Sequence, residues 1–188
     1  MSLIIGLIFF ICFIVFGMKF WEKSKMASIL LLVPALLMVV FAAVVTYNTL
    51  YRTTPNSVTF TVFEESGKYT VKGTWKQPLD AYRFSTDFIV FYVPDDEEIT
   101  DVKRKRDRDV KNMDMSGLKA AVKEWLRHEN PPAFTPQVFD VKTDKTFDFS
   151  FAVPRGVQPE DIQLYYVHAR EEPMDALEFW FKEIELRE

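Results

Sequence analysis

The sequence contains one cysteine, Cys12, and it lies inside an apolar run. No disulfide can form within the chain, and a thiol among Ile, Phe and Leu is not a nucleophile presented to substrate. Ile11 stands where a lipidated cysteine needs a small residue before it, and no basic region precedes the run. Histidine is almost as scarce. His128 and His168 are the two, and neither has a second His or Cys at metal-ligand spacing. With six glycines in all, no phosphate-cradling loop is present. No Gly-x-Ser-x-Gly elbow occurs either. The chain therefore shows no catalytic, cofactor or metal signature.

The other shortage is of charge, and it is local. Leu3–Met18 and Met26–Tyr47 contain no charged residue. As helices they would extend roughly 24 and 33 Å at about 1.5 Å per residue, against a hydrocarbon core of about 30 Å. Backbone polar groups in lipid must be satisfied internally, so each run is expected to be a spanning helix. The spacer Lys19–Lys25 allows only a tight turn, which makes residues 1–50 a transmembrane hairpin. Phe20, Trp21 and Tyr47 fall where interfacial aromatics belong. Three lysines in the turn, against Arg52 alone before Lys68, place the turn in the cytoplasm. The N-terminus and the large domain are then expected outside, at a bacterial cell membrane. Gly6, Gly17 and Ala42 are small enough to let a partner helix approach the hairpin.

Of 23 Lys+Arg only three fall in the first fifty residues, and of 27 Asp+Glu only Glu22 does. Residues 51–188 thus carry 20 basic and 26 acidic side chains, a balance that argues against nucleic acid as a partner. Period-two alternation dominates this region. Val58–Phe63 and Tyr69–Trp75 flank a Glu65-Ser66-Gly67 turn as a hairpin. Phe88–Val93 is apolar on both faces, as in a strand at the middle of a packed sheet. Gln137–Val141, Phe147–Val153 and Ile162–Ala169 are further strands. In a final strand, Leu177, Phe179 and Phe181 hold one phase while Ile184 and Leu186 hold the other, which predicts a bulge or break near Lys182-Glu183. One helix, Ser116–Glu129, carries the stripe Leu118, Ala121, Val122, Trp125, Leu126 and is expected to cross an edge or end of a sheet. With about seven strands, one helix and no strand–helix alternation, the fold class is a mainly antiparallel β-sandwich hung from the hairpin.

Within Lys145–Val167, an alternating aromatic strand leads through Gln158-Pro159-Glu160-Asp161-Ile162 to Tyr165-Tyr166-Val167. These residues, about 23 of 188, resemble the strand E to strand F corner of immunoglobulin variable-type domains. The resemblance implies an immunoglobulin-like sandwich in which Tyr165 is the corner tyrosine, its hydroxyl bonded to upstream backbone. Val167 occupies the place of that family's cysteine, so the inter-sheet disulfide is absent.

The densest charge run, Asp101–Lys111, sets six basic residues against three acidic ones. Its Lys103, Arg104, Lys105, Arg106 and Arg108 are either a solvated edge that discourages sheet aggregation or a patch for an anionic envelope component. Two functional classes remain. The first is a membrane-anchored interaction module, an accessory subunit for a membrane-protein or cell-envelope partner, acting through the basic run or the small-residue face of the hairpin. The second is an anchored hydrolase or metal-dependent enzyme built from scattered carboxylates and His168.

Overall fold

The computed structural model describes residues 2–107, 114–129, 134–172 and 176–186. The chain divides into two compact units, Met1–Tyr51 and Arg52–Glu188.

The first unit is a helix pair, α1 (Ser2–Phe20) and α2 (Lys25–Leu50). Ser24 caps α2 by accepting the Ala27 amide, and its own N–H returns to the Phe20 carbonyl at 2.8 Å. The helices approach closely at Gly17, where a Cβ would lie 2.7 Å from Leu32 Cγ. That absence of a side chain lets the buried Ser28 hydroxyl donate to the Gly17 carbonyl. α2 alone among the described residues is long and apolar enough to cross a membrane; the corresponding stretch of α1 is the shorter Phe9–Phe20. Of the two expected spans, α2 is the one that meets this measure.

In the second unit, two four-stranded antiparallel sheets face each other. Sheet A has the order β1 (Val58–Glu65), β2 (Lys68–Trp75), β6 (Thr146–Ala152), β4 (Thr100–Arg104). Sheet B has the order β5 (Gln137–Lys142), β3 (Thr86–Tyr92), β7 (Gln163–Glu172), β8 (Ala176–Glu183). Alternation determines which side chains meet. Val71, Trp75, Phe147, Phe149 and Phe151 from sheet A pack on Ile89, Phe91, Leu164 and Tyr166 from sheet B. The Phe147 ring lies directly over the Gly73 Cα, and a Cβ there would collide with it.

β3 is buried along its whole length because both of its faces are covered. On the side away from sheet A, Phe88, Val90 and Tyr92 join Tyr165, Val167 and Val138 beneath a helix, α3 (Met115–Glu129). Asp114 caps α3, its carboxylate accepting the Gly117 amide at 3.0 Å. Val122 and Leu126 are its fully buried residues, and burying each contributes about 1.5–3 kcal/mol. The helix therefore lies across a face of sheet B, not across an edge or end as its amphipathic stripe alone suggested.

β8 also differs from expectation. Its register against β7 runs from Tyr165↔Glu183 to Glu172↔Ala176 without a shift, and continues in the Ile184 N–H to Leu164 carbonyl bond at 2.8 Å. No bulge is needed to explain the change of apolar phase. Odd-numbered residues Leu177, Phe179 and Phe181 pack with the α3 layer. Even-numbered Trp180, Ile184 and Leu186 belong to the core between the sheets.

Candidate functional site

Beside the contact between α3 and β8 lies a groove of about 840 Å³. Its floor is Leu177–Phe181, and Trp125 and Glu129 of α3 form one wall. Arg52 and Pro55 form the other. Trp125 is held by ring contacts with Phe179 and Phe181, at 5.5 and 5.8 Å between centroids. Arg52 Nη1 reaches both carboxylate oxygens of Glu178, at 2.9 and 3.0 Å, which fixes the second wall to the strand. The volume and the aromatic lining are those of a ligand groove with a few polar groups at its rim.

Behind β8, between the sheets, a polar cluster is sealed from solvent. Asp87, at the start of β3, accepts a hydrogen bond from the Tyr166 hydroxyl and another from the Ala169 amide at 3.1 Å. His168 Nδ1 lies 2.8 Å from the same carboxylate. An ionised carboxylate only accepts, so Nδ1 carries the proton. The imidazole is flanked by Trp75 and Trp180, each with its ring centroid 5.0 Å away. Burial, the Asp87 charge and the Asp87 hydrogen bond together push the Tyr166 phenol well above its ordinary range. Asp87 and His168 are both 0% exposed. Beyond it, the buried Asp80 lies 3.5 Å from the Arg170 guanidinium and accepts the Tyr82 amide.

The basic run is tied down by carboxylates that lie far from it in sequence. Arg104 Nη2, Arg106 Nε and Lys119 Nζ converge on the buried Asp140, the first and last at 3.0 and 3.4 Å. Burial alone would raise the Asp140 carboxyl; hydrogen bonds from Arg106 and Arg104 outweigh it and hold the group at about 2. Lys105 and Lys142 reach Asp144 at 2.8 and 3.5 Å. Lys103 is exposed on β4, opposite Ser150. Arg108 lies outside the described residues. Arg104 and Arg106 thus tie the bulged edge strand β4 and the residues just after it to Asp140 of β5, where Lys119 of α3 also arrives.

The remaining candidates are dispersed. Gly17 is used within the helix pair, while Gly6 and Ala42 are exposed and do not join it in one contact. Tyr165 faces α3, with its ring against Tyr92 and Phe181; the tyrosine between the sheets is Tyr166. His128 ends α3, 3.2 Å from Glu124. Among the described residues no three His, Cys, Asp or Glu side chains are grouped to hold a metal.

Sequence reading missed Asp87, Asp140, Trp180 and the groove. The available signal was a charged residue placed in phase with apolar neighbours: Asp87 with Ile89 and Phe91, Asp140 with Val138. Neither the models of known protein families nor the curated protein sequences contain a match to this chain.

Proposed function

We propose that this chain is a membrane-anchored interaction module. Its apolar helices form a two-span hairpin, and its sandwich stands outside the cytoplasm as an accessory subunit for a membrane-protein or cell-envelope partner. The observation that carries this reading is the groove between α3 and β8. It is large, lined by Trp125, Phe179, Trp180 and Phe181, and rimmed by Arg52, Glu129 and Glu178. Such a lining suits recognition, since aromatic anchors in a groove dominate binding energy.

The immunoglobulin-like part of the reading draws on strand order. The sets β1-β2-β6-β4 and β5-β3-β7-β8 have the same membership as the A-B-E-D and C′-C-F-G sheets of variable-type domains. The chain reaches the strand beside β6 before the strand beside β3, with α3 between them, which reverses the family's order. The alternative, an enzyme using His168 and scattered carboxylates, draws on the His168–Asp87 pair, and both side chains are enclosed in the core.

Photo-crosslinking in native membranes tests the module. A photoreactive residue in place of Glu129 should capture one discrete partner, and one in place of Lys103 should not. Capture from Lys103 alone would move the docking surface to the basic edge.

A further inference from the structure

The groove borders an open sheet edge whose backbone groups can be assigned. The Phe84 N–H bonds to the Ala169 carbonyl and the Glu171 N–H to the Tyr82 carbonyl, so the odd-numbered residues of β7 point toward the β3 side. The Ile184 N–H to Leu164 carbonyl bond shows the even-numbered ones pointing toward β8. Even residues of β7 pair with even residues of β8, as in His168↔Trp180 and Arg170↔Glu178. In an antiparallel strand the N–H and C=O of one residue point the same way and alternate along the chain. The amides and carbonyls of Leu177, Phe179 and Phe181 are therefore directed away from β7. β8 ends sheet B and pairs with β7 alone among the described strands. These three residues are also among those that line the groove floor.

The other edge of sheet B is closed differently. β5 donates its Lys142 amide to the Lys105 carbonyl at 2.9 Å, and β4 beyond it is short, bulged and charged. Such devices keep strands from adding to an edge. β8 is eight residues long, contains no proline and has an unshifted register.

We infer that the groove takes an extended peptide segment of the partner, which adds to sheet B beside β8 as a fifth strand. The inference rests on the groove being the docking surface. Outward groups recurring at every second residue are matched by the backbone of another strand and by little else. Charge narrows the choice further. Glu178 is neutralised by Arg52, while Glu129 on the opposite wall has no ion-pair partner among the described residues. A basic side chain on the peptide fits there, with apolar side chains on Trp125 and Phe179.

The test uses the full chain in lipid nanodiscs and a phage-displayed library of ten-residue peptides. A selected peptide should slow amide exchange at Leu177, Phe179 and Phe181 at least tenfold and leave Glu178 and Trp180 unchanged. Glu129→Gln should weaken that peptide several-fold. A peptide that loses affinity with Glu129→Gln yet protects none of the three amides overturns strand addition and leaves the groove reading standing. Failure to select any peptide sensitive to Glu129→Gln overturns both. Protection of the three amides in peptide-free protein, growing with its concentration, would give the edge to a second copy and overturn the proposal.

Discussion

The Asp87 carboxylate and the His168 imidazole are separated by 81 residues and meet at 2.8 Å in the middle of the sandwich. Asp87 also receives the Tyr166 hydroxyl and the Ala169 amide, so one side chain satisfies three donors from β7. The cluster fixes the register of the two central strands of sheet B from the inside. Slipping β7 by one residue would remove every donor at once.

Asp87→Ala should accordingly be among the most damaging single changes. It leaves a hydroxyl, an amide and an imidazole N–H buried without an acceptor. Breaking a buried polar pair of this kind costs about 3–5 kcal/mol. Asp87→Asn keeps the volume and one acceptor oxygen but turns an NH₂ toward a donor, and about 1–3 kcal/mol is expected. Urea midpoints followed by tryptophan fluorescence measure both. A loss below 1 kcal/mol for the alanine variant would show that the cluster contributes little to folding.

Gly73 and Phe147 form a cross-strand pair in which the ring occupies the space a side chain would need. Gly73→Ala should cost about 1–3 kcal/mol through overpacking. Shortening the opposing ring should relieve it. In a cycle with Phe147→Leu, the double variant is expected to be at least about 0.5 kcal/mol more stable than additivity predicts. Strict additivity would mean that the two side chains do not compete.

The Asp140 carboxyl is held at about 2 by Arg106 and Arg104 against the opposing effect of burial. A carboxyl lowered on folding contributes stability that is present above its unfolded value of 3.8 and lost as pH falls through the folded value. Acid unfolding between about pH 4 and 2 should therefore be shallower in Asp140→Asn than in wild type. The same variant should be less stable at pH 7. Parallel acid profiles would remove Asp140 from the account.

Much of this architecture is legible in the chain because alternation reports burial. Phe147, Phe149 and Phe151 against Asp148 and Ser150 can only be a strand with one dry face. Phe88–Val93, apolar throughout, gave away its central place. What alternation cannot report is which layer covers a face. The same ambiguity made β8 look bulged, since α3 covers Phe179 and Phe181 while sheet A covers Ile184. It also left the helix at the margin of the sheet when it lies across it. The basic run read as free charge because its partners, Asp140 and Asp144, are supplied by β5 and the turn after it, some 35 residues on. Pairings across that separation are set by the fold and leave no local mark. Of the adjacent tyrosines, Tyr166 enters the inter-sheet core and Tyr165 the layer under α3.

The two buried phenols lead to a prediction at the opposite end of the pH scale. Tyr92 is pushed up to about 12, chiefly by burial and then by its neighbour Tyr165. Tyr166 is raised by burial and by the Asp87 carboxylate. Both hold their protons more tightly in the folded chain than in the unfolded one, where a phenol titrates near 10. Their contribution is complete below pH 10 and declines as pH rises beyond it, because the unfolded chain then releases protons that the folded chain retains. Stability should fall between pH 9 and 11. Tyr92→Phe and Tyr166→Phe should each reduce that fall, and the double variant should reduce it most. Tyr166→Phe will also lower stability at pH 7 by roughly 0.5–1.5 kcal/mol, since Asp87 loses one donor. Tyr92→Phe has no such bond to lose, its hydroxyl having no hydrogen-bond partner among the described residues, so it should be near neutral at pH 7 and differ from wild type only in alkali. Equal losses from pH 9 to 11 in all four proteins would assign the alkaline transition to other groups.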